Sequence, residues 1–137
     1  MSYDTERADI EAFFKARCEA EFPDMVIGFD AHKFTPPVGG ESIELEIASG
    51  GAEQISFGDP GNNGERNVGL IIARIRVPGG QGSNRIREIA DRFKGIFINA
   101  EIGSVKCRIP YVQTQIADAP FLGWSMAVPF TRDTFTA

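Results

Sequence analysis

Cysteine, histidine and tryptophan are nearly absent: two, one and one in 137 residues. Cys18 and Cys107 lie far apart, and neither has a second cysteine nearby, which excludes a CxxC redox pair or a zinc knuckle and leaves buried free thiols as the expected state. His32 stands beside Lys33 outside any HxH or HExxH pattern, so it is given no role. Long apolar runs are missing too. The longest, around Leu70 to Ala73, is far too short to span a bilayer, and "MSYDTERADIEAFF" opens with acids where a secretory signal would carry bases. A soluble chain kept in the cytosol, with no membrane partner, is the expectation. Positive charge is also in deficit: Lys and Arg number 14 against 19 Asp and Glu, a net charge of -5. That argues against a protein that holds nucleic acid by neutralising phosphates over a broad surface.

What remains is an ordinary globular mixture, 42% hydrophobic and 24% charged, expected to fold throughout as a single domain over residues 1–137. The charges are unevenly spread. Arg74, Arg76, Arg85, Arg87, Arg92 and Lys94 cluster in one short stretch, whereas acids dominate the first helix and the segment from Glu41 to Glu53. Opposite patches on one small domain suit head-to-tail self-association.

Along the chain, Ile10, Phe13, Phe14, Cys18 and Phe22 recur at helical spacing, and Pro23 ends that helix. "VIGF" reads as a short extended piece before a Pro/Gly loop. "SIELEIAS" alternates apolar and acidic residues as a half-buried strand does, with "EQISF" as its continuation or its neighbour. "GDPGNNGE" is almost wholly turn formers. Asp59, Pro60, Gly61, Asn62, Asn63 and Gly64 are read as a flexible projecting arm. "NVGLIIARIRVP" is the strongest strand: Val68 to Ala73 is apolar on both faces, which predicts a central, covered position. Ile86, Ile89, Ala90, Phe93, Ile96 and Phe97 then share one face of a second helix, with Ser83 or Asn84 as its cap. "SVKCRIPYVQTQI" and "GWSMAVPFTR" supply two more alternating strands, the last with Trp124, Met126, Val128 and Phe130 on one face. The predicted fold class is α+β: one mixed, mainly antiparallel sheet packed by two amphipathic helices.

Two stretches invite a catalytic reading, and spacing refuses both. "RVPGGQGSNRIREIADRF" places a glycine turn between strand and helix, but five positions after Gly79 and Gly80, where a Walker loop needs its second glycine ahead of Lys and a hydroxyl, stand Asn84 and Arg85, and Arg85 also stands where a dinucleotide fingerprint needs its third glycine. "GWSMA" falls one residue short of a nucleophile elbow, and the single histidine lies upstream of Ser125, against the required order. No enzyme and no cofactor are expected, nor any metal. One rival reading keeps a small-ligand or enzyme pocket at "PGGQGSNR" with the segment from Gly58 to Glu65 as its lid.

The element pattern resembles a family, the small tail terminator proteins of long-tailed phages and of gene transfer agent particles, also called minor tail or tail completion proteins. The residues that carry the resemblance are the N-terminal helix with "IEAFF", the strand "GLIIARIRVPGGQG" running into "IREIADRF", and the final "GWSMAVPF". It implies a structural virion protein, built in the host bacterial cytoplasm, that closes as a ring of six on the last tail-tube ring and stops its growth. Its other face would meet the head-tail connector or stopper protein, and DNA would pass through the lumen without sequence-specific binding. A head-side completion protein or a tube subunit is the alternative within the virion. From the residues themselves, Arg74, Arg76, Arg85 and Arg87 are candidate inter-subunit contacts. Arg85 and Arg87 open a helix whose dipole they oppose, and Glu44 and Glu46, or the acids of the first helix, are candidate partners on a neighbouring subunit.

Overall fold

The apolar period of the first segment becomes helix α1 (Tyr3–Glu21), and that of the segment after the glycine turn becomes α2 (Asn84–Phe97). The computed structural model describes residues 3–23, 25–29, 40–54, 64–79, 84–118 and 121–135. Seven strands complete it: β1 (Val26–Phe29), β2 (Ser42–Gln54), β3 (Gly64–Pro78), β4 (Glu101–Ile102), β5 (Val105–Cys107), β6 (Tyr111–Asp118) and β7 (Phe121–Phe135). They form one sheet in the order β1-β2-β3-β7-β5-β4, with β6 also paired to β7. Only β1 and β2 run parallel; the other pairs are antiparallel. The expected α+β class, a mixed and mainly antiparallel sheet with two helices, is what the chain adopts.

Both helices lie on the same face of the sheet. Ile10, Phe14 and Cys18 of α1 and Ile86, Ile89, Phe93 and Phe97 of α2 are buried against Ile43, Leu45, Ile71, Ala73, Ile75, Trp124, Met126, Val128 and Phe130. Where the helices meet, Phe14 stacks on Phe97 with ring centroids 5.9 Å apart and meets Phe93 edge-on at 6.0 Å. Each such ring contributes about 1.5–3 kcal/mol by burial, and each aromatic contact about 0.5–1.5 kcal/mol more. After α2, Asn99 takes a left-handed φ of 52°, a common way to end a helix, and Gly103 at φ 59° starts the two-residue turn between β4 and β5.

Three details sharpen the strand reading, the first by choosing the continuation it had left open and the other two by departing from it. First, β2 is one strand that runs on through Gly50 and Gly51 to Gln54, with a register shift between Ser49 and Ala52. Second, "SVKCRIPYVQTQI" is broken at Pro110 into β5 and β6, which pair with successive halves of the same edge of β7. Third, β3 is central, between β2 and β7, but it is not covered on both faces. Ile71, Ala73, Ile75 and Val77 face the helices and are buried, whereas Leu70 and Ile72 are half-buried and Val68 is 42% exposed on the opposite face. No helix among the described residues lies over that outer face.

One close approach fixes the sheet near its middle. Phe130 sits directly across from Gly69, and a Cβ at Gly69 would lie 2.5 Å from Phe130 Cζ and 2.8 Å from the Ala48 carbonyl oxygen. Only glycine leaves room for that ring.

Candidate functional site

The β2–β3 register determines where the predicted charges go. Glu44 pairs with Arg74, Ser42 with Arg76 and Glu46 with Ile72, so the acids of one strand and the bases of the next share the uncovered face. Arg74 Nη1 lies 2.8 Å from Glu46 Oε2 and 3.5 Å from Glu44 Oε1, and Arg76 Nη2 lies 3.9 Å from the same Glu44 oxygen. These four candidate inter-subunit residues therefore already pair with one another inside the chain, as cross-strand neighbours on one face do. The Ser42 hydroxyl and Arg76 Nη1, opposite each other, are buried without a hydrogen-bond partner among the described residues.

The bases that open α2 are also engaged. Arg85 forks onto Glu41, Nε to Oε2 at 2.5 Å and Nη2 to Oε1 at 2.8 Å, which raises its pKa further through those hydrogen bonds. Glu88 bridges Arg85 and Arg92, at 3.2 Å from each. The carboxylate of Glu41 thus offsets the unfavourable placement of Arg85 at the positive end of the helix. Arg87 holds its guanidinium 4.9 Å above the Trp124 ring.

Arg87 leads into a groove of about 330 Å³ between α2 and β6, lined on the helix side by Arg87, Asp91 and Lys94 and on the sheet side by Tyr111, Gln115 and Trp124. Around it the surface is unusually apolar for an exposed region. Ile109, Tyr111 and Val112 are 56%, 47% and 38% exposed, and Arg108 precedes them. β6 pairs with β7 on one side only; no other strand among the described residues takes its second edge. The same holds for β1 at the far end of the sheet.

One polar cluster had no signal in the sequence reading. Arg132 Nε donates to Glu6 Oε1 at 2.8 Å, and both side chains are 3% exposed. The Tyr3 ring lies 5.1 Å from the Arg132 guanidinium, and its hydroxyl donates to Oδ1 of buried Asn67, at 3.2 Å. Asn67 and Arg132 are register partners, so the cluster locks the start of α1 onto one end of β3 and β7. Asn67 and Arg132 alternate correctly with buried neighbours, a pattern that marks them as inward-facing; nothing local names Glu6 as the counter-ion.

Asp59, Pro60, Gly61, Asn62 and Asn63 of the expected arm lie outside the described residues, as do His32 and Ser83. Gly64 does not belong to that arm: it is the first residue of β3 and pairs with Phe135. Cys18 and Cys107 are free and buried, and burial pushes both thiols up to about 11. No helix is long and apolar enough to cross a membrane among the described residues.

No protein-family model matches the chain, and no curated protein matches its sequence. Among solved structures it is similar to one whose name states no function, at 18% identity and a TM-score of 0.74, over 100% of this chain and 99% of that one. A likeness of that kind concerns the fold alone, shared over nearly the full extent of both chains.

Proposed function

We propose that the chain is a structural virion protein, a tail terminator that closes as a ring on the end of the tail tube, stops its polymerisation and offers its other face to the head-neck connector. The reading starts from the resemblance of the element pattern. The observation that carries it further is the unlike pair of sheet edges. β1 at one end and β6 at the other both lack a second strand partner among the described residues, and the helices occupy one face only. A domain with two different open ends is suited to heterologous contacts, which close into rings when the rotation between copies allows. An acidic net charge of -5 would let DNA pass a lumen without adhering to it.

The direct test is to add the purified protein to cognate tail-tube protein as it polymerises and to measure tube lengths by negative-stain electron microscopy. Capped tubes, halted in growth and carrying an extra ring at one end, are expected. Tubes that grow to the same lengths with and without the protein, and carry no added density, would overturn the proposal.

A further inference from the structure

We infer that the free edge of β6, with the groove beside it, receives the β1 edge of a second copy of this chain, so that the sheet continues from subunit to subunit. This rests on the ring reading and names the contact that would build it. Strand polarity makes the junction possible. β1 runs parallel to β2, β2 opposes β3, β3 opposes β7 and β7 opposes β6, so β6 and β1 run in opposite directions. A neighbour placed head to tail, with its helices on the same face, therefore presents β1 antiparallel to β6. Antiparallel ladders are the slightly stronger kind, and among the described residues neither edge has a second strand partner.

Polarity alone would also allow two β6 edges to meet around a two-fold axis. Charge decides between the two. The groove beside the β6 edge holds Arg87 and Lys94 against a single acid, Asp91; along the strand itself Arg108 stands just before the start and Asp118 is the last residue. Two such edges would bring like charges together. The β1 edge differs in sign. It follows directly on the end of α1, where Glu19 and Glu21 are exposed and the last turn holds no base. Acids there add to the negative pole of the helix instead of cancelling it. Arg92, near Phe22, is tied to Glu88. The α1 end of one copy thus complements the groove of the next. Val26 in β1, 44% exposed, and Tyr111 and Val112 in β6 would supply the apolar contact. Four residues of β1 make a short ladder, so the charged and apolar contacts around it must share in the affinity.

Two sets of variants test this. Lys94→Glu and Glu21→Lys both change exposed residues, and circular dichroism checks that each folds. Sedimentation velocity should show each single change weakening self-association about tenfold, and the double change restoring most of it. In a second arm, Val26→Cys protein is mixed with Val112→Cys or Thr114→Cys protein under mild oxidation; the native thiols are buried and stay out of the reaction. Disulfides between position 26 of one copy and β6 of another are expected to dominate. Dominant disulfides between two β6 strands, or no restoration by the double charge change, would overturn the inference. Rings that assemble normally in all variants would overturn this contact but leave the terminator reading standing. A protein that stays monomeric at every concentration and on tube ends would overturn both.

Discussion

Glu6→Gln is a one-charge, near-isosteric change, and the structure makes it expensive. The Glu6 carboxylate and the Arg132 guanidinium are both 3% exposed and joined at 2.8 Å, with the Tyr3 ring over the cation. Neutralising the acid takes the Glu6 charge away from a guanidinium that stays buried. Breaking a buried pair from one side costs up to about 3–5 kcal/mol, because the surviving charge stays out of water with that attraction lost. For a domain whose total stability is about 5–15 kcal/mol, that is a large share. At roughly 4 °C per kcal/mol for a chain of this size, the melting temperature should fall by about 12–20 °C. Arg132→Met should cost a similar amount, since it strands the carboxylate. Glu6→Leu combined with Arg132→Met should be close to neutral, since removing both charges removes the desolvation penalty as well. Urea unfolding at fixed protein concentration, followed by the fluorescence of buried Trp124, measures all three, with an unchanged m-value as the control. A loss under about 1 kcal/mol for Glu6→Gln, or a double variant as unstable as the sum of the singles, would refute the reasoning.

Gly69→Ala drives a methyl into Phe130 and the Ala48 carbonyl and should cost about 1–3 kcal/mol by urea unfolding, with partial recovery when Phe130→Leu is added. Arg74→Glu would put a third acid between Glu44 and Glu46 and should cost up to about 1 kcal/mol, recovered by reversing Glu44 and Glu46 to Arg. The thiols of Cys18 and Cys107 should resist a disulfide reagent at pH 8 in the folded protein and both react once it is unfolded. Their native values of about 11 exceed the unfolded value, so the native state holds more protons between about pH 9 and 11. Stability from this source is complete below pH 9 and falls as the pH rises through that window. Unfolding midpoints between pH 8 and 11, compared with those of a Cys18→Ala and Cys107→Ala double variant, show whether it does.

The helices were legible because their signal is local. Ile86, Ile89, Ala90, Phe93 and Phe97 are fixed on one face by a 3.6-residue period alone, and all five are buried. The final strand was legible for the same reason at period two, with Trp124, Met126, Val128 and Phe130 all turned inward. Val68, Leu70 and Ile72 misled because an apolar residue is the same letter whether a helix or another molecule covers it. Coverage depends on how many helices the chain can lay on each face, and both of these lie on the side of Ile71. The break at Pro110 was visible as a letter, but its consequence, two strands serving one long neighbour, required knowing that β7 spans fifteen residues.

The intrachain pairing of the charges was hidden for a different reason, and it bears on what the outer face can do. The bases were read as facing acids of a neighbouring subunit, and antiparallel pairing also brings "ELE" against "RIR" within the chain, with Arg74 between Glu44 and Glu46. Shifted by one residue, that register would turn both glutamates toward the helices and the core, at a desolvation cost no exposed pair could offset. The charge pattern therefore belongs to the register of β2 on β3, and Arg74 above all is engaged within the chain. What the bases at the start of α2 leave for another molecule is narrower. Arg85 is held by Glu41 and Arg92 by Glu88, whereas Arg87 and Lys94 line the groove next to an open strand edge. Among the described residues, that is where basic charge, exposed apolar surface and unpaired backbone coincide. A contact built there would add backbone pairing and apolar burial to whatever its charges supply.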